Sequence, residues 1–186
     1  MQRHEGIDAL LRRVNSEPII ANLGPATFDL YAAGDRPANL YTWGAMGLAS
    51  SIGLGVALAA TDRKVFVTDG DGSLLMNLGS LATIARQAPA NLIHIVWDNQ
   101  MWYETGGQPT HTSTGTDLAG IARSAGIPRV ADVATIEAFE DALDQAILED
   151  GPWFIHVHIK ETGEKRTRPN VVIEENFVKF RRALTE

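Results

Sequence analysis

The chain has 186 residues, 45% of them hydrophobic, enough for one well-filled domain and hardly enough for two. Lys and Arg total 16 against 23 Asp and Glu, a net charge of −7, which leaves no basic excess for nucleic acid or an anionic membrane. No cysteine is present, so disulfides, thiolate zinc sites and cysteine nucleophiles are excluded.

The opening MQRHEGIDALLRRVNSEP is mixed in charge and lacks the apolar core of a signal peptide. Strand patterns are expected at Pro18–Ala21, Asn39–Thr42, Lys64–Thr68, Leu92–Trp97 and Trp153–Ile159. Helical patterns fall between them at Ala26–Ala32, Gly47–Ala60, Leu74–Gln87, Leu118–Ala125 and Ile136–Glu149. In the third of these, Leu74, Leu78, Leu81 and Ala85 share one face. The weakly polar stretch from Ala45 to Ala60 is broken by Gly and Ser and is too short to span a bilayer, so a soluble cytoplasmic protein is expected. A polar and aromatic loop runs from Asp98 to Thr116, and a charged one from Glu161 to Asn170 precedes an amphipathic helix, Glu174–Leu184.

Strands alternating with helices predict an α/β fold, three layers around a mostly parallel sheet, in one domain over 1–186. Ligands of such sheets sit beyond the carboxyl ends of the strands. The run Asp69-Gly70-Asp71-Gly72-Ser73 follows a strand and starts a helix. Glycines there allow a tight turn and close approach to an anion, but Asp71 would repel a bare phosphate. A Mg²⁺ ion between carboxylate and phosphate removes the conflict. Leu75 breaks a dinucleotide fingerprint, no Gly-Lys-Ser/Thr is present, and Leu74 and Ser80 break an EF-hand. A plain Asp-Gly turn into a helix remains the alternative. The next strand ends in Asp98-Asn99, and if the two strands are neighbours, Asp71 and Asn99 stand side by side with a backbone carbonyl just beyond.

Gly70-Asp71-Gly72-Ser73 followed by Asp98-Asn99 resembles the motif of thiamine diphosphate-dependent enzymes, with Asp98 in place of the first of two paired asparagines. The resemblance implies Mg²⁺ ligands at Asp71, Asn99 and the Met101 carbonyl, and a diphosphate held near Gly70, Gly72 and Ser73. Trp43-Gly44-Ala45-Met46-Gly47 resembles the segment that holds the aminopyrimidine ring, with the Gly44 carbonyl as acceptor and Met46 as the wedge. A core methionine is the plainer reading of Met46. Gly24-Pro25-Ala26-Thr27 is similar to the second diphosphate turn, which implicates Gly24 and Thr27.

MGLASSIGLGVALA, GDGSLLMNLGSLATI and TGGQ with Thr110-His111-Thr112 resemble the β subunits of sulfopyruvate decarboxylase and the C-terminal part of phosphonopyruvate decarboxylase. That implies a subunit of a 2-oxo acid decarboxylase, with thiamine diphosphate and Mg²⁺ as cofactors and a small 2-oxo acid as substrate. No glutamate here matches the one that activates the cofactor, so a pyrimidine-binding partner chain is expected to supply it in a hetero-oligomer. Trp43, Trp102, Phe177 and Phe180 are candidates for the surface that partner covers, and residues 161–186 for partner contact. His111 is the candidate proton donor or substrate-anion contact, against an ordinary loop histidine. His94, His156 and His158 lie within strands and read as packed or edge residues. Trp102, Tyr103 and Glu104 are bulkier and more acidic than that subfamily suggests, and Pro109 stands where a lysine is expected, which disfavours a doubly charged substrate. A carboligase or oxidoreductase subunit, or a non-catalytic cofactor-binding module, are the alternatives.

Overall fold

The computed structural model describes residues 1–160 and 168–185. Six strands form one sheet, β1 (Ile19–Ala21), β2 (Asn39–Tyr41), β3 (Val65–Gly70), β4 (Leu92–Asp98), β7 (Arg129–Val133) and β8 (Trp153–His158). Their order is β2-β1-β3-β4-β8-β7, and every pairing is parallel. The chain runs outward from β1 to β2, then crosses back to β3, so the order reverses between β1 and β3. Such a switch point opens a crevice at the carboxyl ends of its two strands.

The central strands are apolar almost throughout because both faces are covered. One core gathers Ile19, Phe66, Ile93, Ile95, Trp97 and Val157. It is capped by α1 (Arg3–Leu11), α2 (Pro25–Ala33) and α7 (Ile136–Leu148). The second gathers Ile20, Val65, Val67, Leu92, Val96 and Phe154. Over it lie α3 (Ala49–Ala59), α5 (Gly79–Gln87) and α6 (Leu118–Ser124). The three layers expected from the alternating pattern are therefore present. No described helix is long and apolar enough to cross a membrane.

Four elements differ from expectation. The helix expected over Leu74–Gln87 is two helices, α4 (Asp71–Leu75) and α5, broken where the Asn77 amide donates to the Gly47 carbonyl at 3.0 Å. Helix α1, not marked by the residue pattern, buries Ile7, Ala9 and Leu10 and is further pinned by the buried Arg3–Asp29 ion pair (2.8 Å) and by Gly6, where a Cβ would lie 2.6 Å from the Trp97 ring. Strand β7 is a half-exposed edge paired only to β8, so its alternation is masked by Arg129 and Asp132. The loop after β4 contains a small antiparallel hairpin, β5 (Met101–Trp102) with β6 (Gln108–Pro109).

The final helix, α8 (Ile173–Thr185), lies against β2. Phe180 is buried in the second core, which removes it from any partner-facing surface, whereas Phe177, one turn earlier, is 54% exposed. Of the charged loop expected over Glu161–Asn170, residues 161–167 lie outside the described residues.

Candidate active site

Strands β3 and β4 pair in register, Gly70 opposite Trp97, so their carboxyl ends open side by side. Asp71 opens α4 and is buried. One of its oxygens accepts from the Thr110 hydroxyl at 2.5 Å, with the Thr112 hydroxyl 3.3 Å away. Ser73 turns toward the upstream motif, its Oγ accepting from the Gly47 N–H at 3.0 Å. The Trp43–Gly47 segment and the Asp69–Ser73 turn are thus one unit. Gly47 is left-handed (φ +84°), and a Cβ there would lie 3.1 Å from that of Met76.

At the end of β4, Asp98 is buried and Asn99 half-buried. Asp98 Oδ1 accepts from the Gln100 N–H and from the Thr112 hydroxyl, both at 2.9 Å. Asn99 Oδ1 accepts from the Met101 N–H at 3.1 Å. Between them Gln100 adopts φ +62°, a conformation that side-chain-bearing residues seldom take without being held there. Asp98 Oδ2 faces Nε2 of His156 at 2.9 Å.

Two carboxylates therefore share Thr112 in a buried spot. Burial pushes the Asp71 carboxyl up to about 7, against the Thr110 hydrogen bond, and the charge of Asp98 adds to the rise. Burial also acts to raise Asp98, but hydrogen bonds from His156, Thr112 and the Gln100 N–H outweigh it and hold that carboxyl below the usual range. A divalent cation beside Asp71 would relieve this crowding of negative charge.

A cleft of about 620 Å³, open to solvent, lies at the switch point. Gly70, Asp71, Gly72, Ser73, Asn99, Met101 and Met46 all line it, together with Asn22 and Asp69 at the strand ends. Asn22 Oδ1 is buried with no hydrogen-bond partner among the described residues, which leaves an acceptor beside the cleft. The indole of Trp102 lies over Gly72, where a Cβ would be 2.5 Å from its Nε1. Glu104 reaches across to left-handed Gly24 (φ +76°), and its carboxylate lies 3.8 Å from Arg168. The hairpin so covers both glycine turns.

The remaining residues singled out from the sequence lie at the margin. Thr27 is buried in α2, its hydroxyl donating to the Asn22 carbonyl at 2.7 Å, so it braces the turn from behind. Gly44 is exposed and left-handed (φ +73°). His111 sits on an exposed 3-10 turn, its ring edge-on to Trp102 with centroids 5.7 Å apart. Nothing in the residue spacing marks Asn22, or the links from Thr110 and Thr112 to Asp71, since these depend on how the loop folds back.

The thiamine pyrophosphate enzyme C-terminal TPP-binding domain matches residues 26–157. The chain belongs to this family. It is 43% identical over 162 residues to the sulfopyruvate decarboxylase β subunit of Methanothermobacter thermautotrophicus, covering 86% of this chain and 83% of that one. With a phosphonopyruvate decarboxylase of Streptomyces viridochromogenes it shares 41% identity over 168 residues, covering 90% of this chain but only 42% of the longer enzyme. The fold also matches 2-oxoglutarate:ferredoxin oxidoreductase from Magnetococcus marinus, with a TM-score of 0.72 at 17% identity, over 97% of this chain and 66% of that one. For a thiamine pyrophosphate enzyme the donor set fits. Side-chain oxygens of Asp71 and Asn99, hard donors of the kind Mg²⁺ takes, share one cleft with Gly70, Gly72 and the Asn22 oxygen.

Proposed function

We propose that this chain is the diphosphate- and magnesium-binding subunit of a two-chain thiamine diphosphate-dependent 2-oxo acid decarboxylase. The observation that carries the reading is the convergence of Asp71, Asn99 and Met101 on one cleft at the switch point. Sequence identity to sulfopyruvate decarboxylase β subunits over most of both chains supports the subunit role. Asp71, the Asn99 side chain and the Met101 carbonyl would hold Mg²⁺. Gly24, Gly70, Gly72 and Ser73 would face the diphosphate, with Thr27 bracing the first turn. The Gly44 carbonyl and Met46 would seat the aminopyrimidine. When bound, the cofactor supplies the electron sink that lets the bond to a departing carboxylate break.

This chain's own residues orient and enclose. Met46, Trp102 and Tyr103 give the cleft apolar walls, and His111, beside Trp102, would meet a substrate anion or deliver a proton. The activating glutamate would come from a pyrimidine-binding partner. Glu104 is engaged on the Gly24 side with Arg168. The substrate would be a small 2-oxo acid; the relatives' names point to sulfopyruvate or phosphonopyruvate, while Glu104 and Pro109 weigh against the second negative charge of either.

The test is carbon dioxide release from sulfopyruvate and phosphonopyruvate by this chain alone and with its partner. The pair should release carbon dioxide and an aldehyde, the chain alone nothing. Turnover by the isolated chain would refute the two-chain reading, and a condensed hydroxyketone as the product would make it a carboligase.

A further inference from the structure

His156 is a buried titratable group for which cofactor binding gives no direct use. It is 3% exposed on β8, and both ring nitrogens face carboxylates, Nε2 to Asp98 Oδ2 at 2.9 Å and Nδ1 to Asp132 Oδ1 at 3.0 Å. An ionised carboxylate only accepts, so with both carboxylates ionised each nitrogen would donate and the ring would be an imidazolium. Asp98, His156 and His158 are close enough together to suggest a cation site. Both nitrogens of His156 are already committed, however, and His158 Nε2 is itself turned to Asp132 at 2.8 Å.

We propose that His156 is a positioning residue: clamped between Asp98 and Asp132, it holds Asp98 in the orientation that fixes the Gln100 turn and so presents Asn99 and Met101 beside Asp71. This rests on the reading that those three residues bind Mg²⁺. Asp98 spends one oxygen on His156 and the other on the Gln100 N–H and the Thr112 hydroxyl. Thr112 in turn reaches Asp71, so the clamp is linked to the ligand on β3 as well as to those after β4. The left-handed Gln100 needs such anchoring. Without His156, Asp98 Oδ2 would lose its partner on β8, and the side chain could swing away from the Gln100 N–H and release the turn. Groups behind the ligands commonly govern metal affinity in this way.

The experiment uses the full-length chain, alone and with its partner, and measures by calorimetry the Mg²⁺ concentration that half-saturates thiamine diphosphate binding. His156→Gln keeps a donor but not the charge, and should raise that concentration about tenfold or more. Saturating Mg²⁺ should bring binding capacity back. Asp98→Asn in the same chain should largely rescue it, because an asparagine can hold the Gln100 N–H without a counter-charge. His158→Ala, which removes only the second contact on Asp132, should have a smaller effect than His156→Gln. In the metal-free protein at neutral pH, ¹⁵N spectra should show both His156 nitrogens protonated, a signature that Asp98→Asn removes. An unchanged Mg²⁺ requirement in a folded His156→Gln protein, no rescue by the double variant, or one bare nitrogen on His156 would each overturn the proposal. Failure of the parent chain to bind thiamine diphosphate at any Mg²⁺ concentration would instead reject the metal-site reading, and this inference with it.

Discussion

Two histidine–carboxylate pairs lie on the same face of the sheet, and they behave differently. His94 on β4 meets Asp69 at 3.3 Å, while its Nδ1 is buried without a partner and its ring stands edge-on to Phe154. His156 on β8 has a carboxylate on each side, and the farther one, Asp132, is 40% exposed. Asp69 and Asp98 are both almost fully buried, so burial does not separate the pairs. The second partner does. A histidine with one carboxylate is a packed core group; with two it is a fixed cation that can hold an acid beside another acid.

The largest expected effect tests which carboxylate this arrangement serves. Both Asp69 and Asp71 line the cleft, but Asp69 already accepts from the Gly70 N–H and faces His94. Asp71→Asn should abolish Mg²⁺-dependent binding of thiamine diphosphate in calorimetry, and Asp69→Asn should retain it. Loss in both, or in neither, would erase the distinction.

Stability should separate the histidines next. His156→Phe strands Asp98 without its cation and should cost about 3–5 kcal/mol in urea unfolding. His94→Phe removes one contact from a ring already packed on Phe154, and should cost about 1–3 kcal/mol. Equal losses would mean that the second carboxylate contributes nothing.

The smallest effect is in the pH profile of the metal-free chain. Asp71 titrates at about 7 when folded and near 3.8 otherwise. Between those values the folded state holds a proton the unfolded chain has released, so stability should fall as pH rises through that window. Asp71→Asn should flatten this decline. For His156, burial opposes the charge, but Asp98 and Asp132 raise it above 6.5. Its contribution is therefore complete below 6.5 and lost as pH climbs through the raised value, a separate alkaline decline that His156→Phe should remove. Asp98, held low, contributes above 3.8 and loses that contribution only in stronger acid. Differential scanning fluorimetry across pH resolves the three.

How legible these features are in the sequence follows the distance between partners along the chain. The apolar runs of β3 and β4, with Asp71 and Asn99 at their ends, are visible because strand, turn and helix are contiguous. The Asp98–His156–Asp132 clamp is not. His156 sits inside the apolar run WFIHVH, where a packed residue is the natural reading, and Asp132 belongs to an edge strand whose alternation is weak. Only the insertion of β8 between β4 and β7 brings the three together. Phe177 and Phe180 are equally opaque as neighbours on one amphipathic helix, because which side faces inward is decided by how α8 meets β2.

That meeting has a consequence for assembly. The side chain of Asn176 accepts the Tyr41 N–H at 3.1 Å and donates to the Asn39 carbonyl at 2.8 Å, imitating one rung of a neighbouring strand with a single amide. With its free rung already filled and a helix laid along it, the β2 margin is sealed against an added ribbon from another molecule. Of the sheet's two margins, β7 alone keeps a half-exposed border. Pairing of another strand onto this sheet is therefore expected along β7 rather than past β2.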